Sequence, residues 1–350
     1  MTRERGSNAA TTFAQERYDL REAWTAGVGN YATALSVSYD GSSVAVGTGG
    51  GAVFVFDTKS GALRFQVEAH AGGVLSVEWS PRRQVLATAG QDGCARLYDP
   101  WGKELALLPG TAACVDHVAW APDGEKLATA SGRVVCIWNA LGALAWKTDP
   151  HEGTVTGVAW NRRSTELMTA CYGGVQLFRV TPEQKTRRFP WPGSLISLAL
   201  SPSGSVLACG TQDRSVHFWR LSTGQDSEIS GFPSKPRALA WDVHGKLLAT
   251  SGDTTVNVWP FEEKGPEGRP PIQLVGHDAV CTALAFHPSE PLLASGADDM
   301  QVLLWDPREK TAAVGSAALA ETVTGLAWAL GGYRLVGVDA VGTVRAWHVE

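Results

Sequence analysis

Short segments that alternate apolar and polar residues recur along this chain at nearly constant intervals. Each repeat opens with six residues of the form apolar-x-x-apolar-x-aromatic, passes through a turn of Pro, Gly, Asp or Ser, and reaches a segment close to Leu-Ala-Thr-x-Gly. Such runs, bounded by turn residues, are typical of β-strands. The eight copies of the opening segment end at Tyr39, Trp79, Trp120, Trp160, Leu200, Trp241, Phe286 and Trp328.

A third segment in every copy ends in an aromatic residue, and successive members of this series lie 40–46 residues apart. Before each next copy there is room for one more strand. Four strands in about 40 residues is the repeat of a β-propeller blade. The aromatic residues of the third segment are Phe56, Tyr98, Trp138, Phe178, Trp219, Trp259, Trp305 and Trp347.

The two ends of the chain indicate how many blades there are. A fourth-strand sequence precedes every copy, including the first, where LREAWTA occupies positions 20–26, whereas the last copy ends at Glu350 without one. The N-terminal strand can therefore complete the last blade, and a closed ring has no exposed strand edges. The sequence predicts an all-β fold, a single closed β-propeller of eight four-stranded blades at 19–350, after a flexible tail at 1–18. Seven blades is the alternative, and it would require one copy to be discarded.

One copy carries a recognisable motif. It reads GHDAVCTALAFHPSEPLLASGADDMQVLLWD, with Gly276-His277 at its start and Trp305-Asp306 at its end. Through this copy and its periodic relatives the chain resembles the WD-repeat (Trp-Asp repeat) family over roughly residues 20–350. The resemblance implies a buried hydrogen-bonded network of His, Ser or Thr, Asp and Trp. The matching positions are His277, Ser295, Asp299, Trp305, His70, Thr88, Asp92, Asp213, Trp219, Thr250, Asp253 and Trp259.

Other copies keep less of this set. The second has Tyr98 in place of Trp, the third keeps Thr129 and Trp138, and the fourth keeps His151 and Thr169. The first and eighth retain almost only the hydrophobic pattern. These departures weaken the expectation of a complete network in each blade, but they do not affect the blade assignment.

The predicted network has a measurable consequence. Replacing Asp299 by Ala would leave buried donors without an acceptor, which costs about 1–3 kcal/mol. Asp339 lies in the eighth copy, so Asp339→Ala is expected to cost less.

Composition and charge narrow the list of partners. The net charge is −5 and no basic excess is present, so no nucleic-acid partner is predicted. The six cysteines are scattered without a C-x-x-C pair, which favours a reducing compartment. The N-terminal residues do not form a signal peptide, and no run of 18 apolar residues exists, so we expect a cytoplasmic protein without a membrane contact.

A search for catalytic chemistry finds none. The chain has no G-x-S-x-G, H-E-x-x-H or G-x-x-x-x-G-K-[ST] motif, and the Gly-rich segment 47–53 is better explained as a turn between strands. Its eight histidines follow the blade period or show no ligand spacing. The sequence therefore predicts no catalytic residue, no cofactor and no metal site, and hence no enzyme.

Function must then come from a surface. The resemblance implies a non-catalytic scaffold, monomeric on its own, that binds a protein or peptide on one propeller face. The alternative is a small-molecule- or metal-binding propeller, which could be enzymatic, using the mouth of the central channel. Trp191, between two prolines, either presents a rigid anchor to a partner or folds against the blade edge. The candidate contact residues are Tyr31, Gln91, Asp116, Trp191, Gln212, Lys235, Arg237 and Asp298.

Overall fold

The computed structural model describes residues 17–180, 185–262, 265–309 and 311–350. It is an all-β ring of eight four-stranded blades, so the predicted fold class is confirmed and the seven-bladed alternative is wrong. Most of the predicted tail, residues 1–16, lies outside the described part. Arg17 and Tyr18 are described, and both donate their backbone N–H to the carbonyl of Val314 in blade seven.

The first half of the ring contains blades one to four. Each blade runs from an inner first strand to an outer fourth strand through antiparallel pairs. After β1 (Leu20–Gly27), the strands are β2 (Ala32–Val37), β3 (Ser43–Thr48), β4 (Ala52–Asp57), β5 (Leu63–Glu68), β6 (Val74–Trp79), β7 (Leu86–Gly90), β8 (Cys94–Tyr98), β9 (Glu104–Pro109), β10 (His117–Trp120), β11 (Lys126–Ser131), β12 (Val134–Asn139), β13 (Leu144–Lys147), β14 (Gly157–Trp160), β15 (Glu166–Arg179) and β16 (Thr186–Ser194).

The second half contains blades five to eight, with one 3₁₀ turn at Leu330–Gly332. Its strands are β17 (Ala199–Leu200), β18 (Val206–Gly210), β19 (Val216–Arg220), β20 (Asp226–Ile229), β21 (Leu239–Trp241), β22 (Leu247–Thr250), β23 (Val256–Pro260), β24 (Ile272–Leu274), β25 (Cys281–Phe286), β26 (Leu293–Ala297), β27 (Gln301–Trp305), β28 (Gly315–Ala318), β29 (Val323–Ala329), β30 (Arg334–Asp339) and β31 (Thr343–Val349).

Blade four differs in how its strands are connected. Its β15 is one continuous strand of 14 residues, whose first half pairs with β14 and whose second half pairs with β16. Gly173 and Gly174 lie between the two halves with φ of 89° and 120°, a region that favours glycine. The continuous strand therefore supplies both middle strands of a four-stranded blade.

The ring closes through the chain ends. In blade eight, β1 pairs antiparallel with β31, from Leu20 opposite Val349 to Gly27 opposite Thr343. On the inner side, β29 contacts β2, which completes the circuit of first strands. The predicted closure by the N-terminal strand is therefore confirmed.

Two buried side chains fix blade eight to blade one at this junction. The indole Nε1 of Trp24 in β1 donates to the carbonyl of Thr58 at 2.8 Å. The guanidinium of Arg334 in β30 donates to the same carbonyl and to that of Lys59, at 2.7 Å for Lys59. Both side chains are less than a tenth exposed, so water does not compete effectively for these bonds.

The hydrophobic core lies between the blades, as eight separate clusters. A hydrogen bond recurs across these boundaries, because the Trp that ends a first strand reaches back to the preceding blade. Trp160 Nε1, for example, donates to the Ala119 carbonyl at 2.9 Å, and Trp328 Nε1 to that of Ala285 at 2.9 Å. Trp120 and Trp241 make the same contact. The recurring aromatic residue therefore joins blades as well as filling the core.

Candidate functional site

One face of the ring, here called the loop face, carries the loops that lead into the first strands and the turns between second and third strands. Side chains behind these loops determine their shape. In blade seven, Trp305 Nε1 donates to Ser295 Oγ at 2.7 Å, and Ser295 Oγ lies 2.7 Å from His277 Nε2. His277 Nδ1 lies 3.0 Å from Asp299 Oδ2. These contacts fit a neutral His277 imidazole, in which Nδ1–H donates to Asp299 and Nε2 accepts from the Ser295 hydroxyl.

The protonation state of His277 has a physical cause. Burial lowers the pKa of the imidazole, and the nearby carboxylate of Asp299 opposes this only in part. Asp299 also accepts the backbone N–H of Asp278 and of Gln301, both at 2.9 Å. One carboxylate therefore fastens the incoming loop to the turn beside it.

Blade two has a similar arrangement. His70 contacts Asp92 through Nδ1 and Thr88 through Nε2, each at 2.9 Å. Arg96 donates to the second carboxylate oxygen of Asp92 at 2.7 Å. Burial alone would raise the pKa of Asp92, but the bonds from His70 and Arg96 outweigh it and lower the pKa. Blade six keeps only the bond from Trp259 Nε1 to Thr250 Oγ1, at 3.0 Å. The prediction that Asp253 joins this network is wrong, because among the described residues its carboxylate accepts only from the adjacent Thr254.

The loop face has a pocket of about 520 Å³ where blades five, six and seven meet. Its wall is mainly apolar, and its rim carries charged side chains from all three blades. The residues around it are Arg214, Pro233, Ser234, Lys235, Arg237, Ser251, Val280, Cys281, Thr282 and Asp298.

The cations at this pocket have no carboxylate partner among the described residues. Arg214 and Arg237 are exposed, Lys235 is half-buried, and none of the three forms an ion pair in the described ranges. Asp298 is the single carboxylate at the rim, and it too has no such pair there. Three positive charges against one negative charge therefore give this pocket a local excess of positive charge on a chain of net charge −5.

The family model for the WD domain, G-beta repeat (WD40), matches five segments that together cover more than half of the chain. The matched residues are 61–99, 102–139, 184–220, 227–260 and 268–306. The chain is a WD-repeat protein. The strands outside these matches, β1–β4, β13–β15 and β28–β31, complete the ring of the WD-repeat propeller.

Two curated relatives of this WD-repeat protein show how far the likeness extends. WD repeat-containing protein slp1 of Schizosaccharomyces pombe is 25% identical over 282 residues, covering 79% of this chain and 49% of slp1. Periodic tryptophan protein 2 of Arabidopsis thaliana is 31% identical over 232 residues, covering 62% and 25%. The chain therefore spans about half or less of the length of these relatives.

A solved structure supports the fold independently. The computationally designed Ika8 protein superposes with a TM-score of 0.78 at 22% identity, over 96% of this chain and 100% of Ika8. At this identity the likeness concerns the fold alone.

Three of the eight predicted contact residues of this WD-repeat protein come together at the pocket, namely Lys235, Arg237 and Asp298. Arg214, which the sequence analysis did not select, joins them. The others do not border the pocket, and they are Tyr31, Gln91, Asp116, Trp191 and Gln212.

Arg214 has an unusual backbone. Its φ of 62° lies in the left-handed region, which costs a residue with a Cβ roughly 1 kcal/mol. In the matching turns of other blades this position holds Gly51, Gly93 and Gly342, or Met300 with φ of 67°. Aligning the repeats of the chain with one another would have revealed Arg214 as a charged residue in a glycine position.

Blade five has packed aromatic rings in place of the polar network, so the predictions that Asp213 and Trp219 are network residues both need correction. Asp213, predicted as a network residue, is exposed, and within the described ranges its carboxylate accepts no hydrogen bond. The reason is that no histidine precedes the first strand of this blade. Instead, the imidazole of His217 lies between the rings of Trp191 and Trp219, with centroids 3.8 Å and 4.4 Å away.

Trp191 therefore folds against the blade, the second of the two alternatives. The spacing of the network indicates why, because His70, His151 and His277 each contact a hydroxyl residue 18 positions later. Trp191 stands 18 positions before Cys209, so it takes the histidine position of blade five. Its Nε1 is buried and has no hydrogen-bond partner among the described residues, which fits a packing role.

This placement leads to a prediction for Trp191→Ala. Losing a ring stacked on buried His217 should destabilise the fold by about 2 kcal/mol, less than the roughly 3–5 kcal/mol of a fully buried aromatic, because Trp191 is only partly buried. Thermal unfolding followed by circular dichroism measures the change. The matched control is Trp101→Ala, because the Trp101 side chain is 81% exposed and its loss should cost less than about 0.5 kcal/mol. Equal melting temperatures for the two variants would contradict the stacked role of Trp191.

The eighth blade corrects the expectation that Asp339 matters little. Asp339 is fully buried, and its carboxylate accepts the backbone N–H of Thr343 at 2.7 Å and of Val341 and Ala320 at 3.1 Å. It therefore joins the loop before β29 to the turn after β30. That expectation came from the place of Asp339 outside the network motif. Like Asp299 in blade seven, however, Asp339 fastens an incoming loop to a neighbouring turn.

Metal binding and a reactive thiol at the pocket find no support among the described residues. Within the described ranges, no group of three or more His, Cys, Asp or Glu side chains could hold a metal ion. Burial raises the pKa of the Cys281 thiol at the pocket to about 12, so the thiol is protonated at neutral pH. A search of the same residues for a helix long and apolar enough to cross a bilayer finds none.

Proposed function

We propose that this WD-repeat protein is a non-catalytic scaffold that binds a protein or peptide partner on its loop face. The observation that carries the proposal is the pocket between blades five, six and seven, which combines an apolar wall with three cations that no carboxylate of the described residues pairs. Interfaces need an apolar centre for affinity and polar groups around it for orientation. The pocket supplies both on rigid blades.

Family membership supports this proposal. WD-repeat proteins are typically protein-interaction scaffolds and generally not enzymes. The side chains at the pocket also lack a paired acid and base, and the one thiol there is protonated. A reducing compartment such as the cytoplasm suits the six cysteines, all of which are free thiols. We further propose that the protein is a monomer on its own and has no nucleic-acid or membrane partner, in line with its net charge of −5.

A charge reversal tests the proposal. Affinity purification of tagged wild-type protein and of Arg237→Glu from the source cells is compared by quantitative mass spectrometry. Reversing a cation at the centre of an interface typically costs about 2 kcal/mol or more, so recovery of the partner should fall at least roughly tenfold.

The control is Arg163→Glu, the same change at an exposed arginine on the opposite face, in the turn between β14 and β15. It should leave recovery unchanged. If Arg163→Glu removes the partner and Arg237→Glu does not, the loop-face assignment is wrong.

A further inference from the structure

We infer that the pocket between blades five, six and seven takes an acidic peptide segment, in which an apolar side chain is flanked by Asp or Glu. This inference rests on the proposed function and specifies the chemistry of the partner. The occupant enters with its apolar side chain against the wall and its carboxylates facing Arg214, Lys235 and Arg237.

The first argument is charge complementarity. None of the three cations has a carboxylate partner among the described residues, although Arg214 Nη1 donates to the Pro233 carbonyl at 3.5 Å. A carboxylate that replaces the water around such a cation gains a charge-assisted hydrogen bond. Arginine offers two parallel N–H groups to one carboxylate, and two of the three cations are arginines. A basic segment would meet three like charges and would be repelled.

The second argument is how the cations are held. The Ser197 hydroxyl and the Pro236 carbonyl are 3.3 Å apart, so the segment between Lys235 and Arg237 is fastened to blade five. On the other side, the backbone and hydroxyl of Ser234 both donate to the Gly252 carbonyl, at 3.0 Å each. The loop that carries Lys235 and Arg237 is thus anchored to both neighbouring blades, so little ordering is needed when a ligand binds.

The third argument is the backbone of Arg214. A residue in the left-handed region is retained against a conformational cost, and such positions concentrate at functional sites. Met300 has the same conformation in blade seven but does not border the pocket. Comparing Arg214 with Met300 therefore separates the effect of the left-handed backbone from the effect of the positive charge on binding.

The inference commits to carboxylates, which a peptide supplies through Asp or Glu without modification. Asp298 borders the same pocket, and its negative charge repels an acidic ligand. Replacing Asp298 by Asn should therefore tighten binding of an acidic peptide, roughly twofold for an exposed pair.

Fluorescence anisotropy with purified full-length protein tests the inference. The probes are a labelled peptide with a central leucine flanked by glutamates, its twin with lysines, and its twin with phosphoserines. We expect the glutamate peptide to bind at least roughly tenfold tighter than the lysine twin, and less tightly as salt increases. Arg237→Gln and Lys235→Gln should each weaken it about two- to fivefold.

The matched variants are Arg214→Gly and Met300→Gly. Both relieve a left-handed backbone, so neither should lower the melting temperature. Only Arg214→Gly should weaken the glutamate peptide. Equal binding of the glutamate and lysine peptides, no binding of either, or binding of the phosphoserine peptide alone would overturn the inference.

One combination of results would overturn the acidic-peptide inference and leave the proposed function in place. If Arg237→Glu still abolishes partner recovery while all three peptides fail to bind, the pocket is a contact for a partner of other chemistry. The acidic segment is then wrong and the scaffold is not.

Discussion

Deleting residues 1–27 is expected to cause the largest loss of stability of any change considered for this protein. The deletion removes β1, which supplies the fourth strand of blade eight and buries Leu20 and Trp24 against its neighbours. It also takes away the Trp24 donor to Thr58 and leaves β31 with an unpaired edge. We expect most of the truncated chain to be insoluble or to melt at least roughly 10 °C below the full-length protein.

The control is deletion of residues 1–16, which leaves every described contact of β1 in place and should melt within a degree or so of the full chain. If the longer deletion gives no soluble protein, Trp24→Ala replaces it, at an expected cost of about 3–5 kcal/mol. A further test adds a synthetic peptide of residues 17–28 to the truncated chain. Recovery of stability would show that strand pairing at blade eight is the missing element. A long deletion that melts like the short one would refute closure by β1.

The second large effect is expected for Asp339→Ala. The fully buried carboxylate accepts three backbone N–H groups, and its removal leaves these donors without partners. A fully buried stranded donor costs about 1–3 kcal/mol, but Ala320 and Val341 are exposed residues whose N–H groups water can reach, so we expect about 3 kcal/mol in total. Urea unfolding measured by tryptophan fluorescence gives the free energy of unfolding.

Three variants serve as comparisons for Asp339→Ala. Asp299→Ala should cost about 1–3 kcal/mol, whereas Asp213→Ala should cost less than about 0.5 kcal/mol, because Asp213 is exposed. Asp339→Asn keeps one carbonyl acceptor and should lie between the wild type and Asp339→Ala. If Asp339→Ala unfolds like Asp213→Ala, the contacts of Asp339 contribute no stability.

The blade architecture could be predicted from the sequence because each blade is a local object. Strands that follow one another in the chain pair with one another, so an apolar pattern repeated every 40–46 residues determines their number and order. Closure could also be predicted, since the last copy lacked a fourth strand and LREAWTA preceded the first copy.

Contacts between blades could not be predicted from the repeat pattern. Trp160 bonds a carbonyl 41 positions earlier and Arg334 bonds one 275 positions earlier, and no local pattern indicates such partners. Asp339 was undervalued for a related reason, because its function depends on which loop comes near rather than on its place in a motif.

The candidate site could likewise be predicted from the sequence only in part. Lys235, Arg237 and Asp298 could be selected because the family resemblance indicated which loops share a face, but only the structure brings them to one pocket. Trp191 was ambiguous as a residue between prolines, although its 18-residue spacing from Cys209 already favoured the packed alternative. The strain at Arg214 is a property of φ, which residue type alone does not reveal.

Site-specific photo-crosslinking tests the central claim most directly. A photoreactive amino acid is placed at Asp298, on the pocket rim, and in a second protein at Arg163, on the opposite face. After irradiation in the source cells, the account predicts that the Asp298 position forms a crosslink to a partner protein and that the Arg163 position does not. Crosslinks from Arg163 alone would show that the partner binds the other face, and the loop-face scaffold would be contradicted.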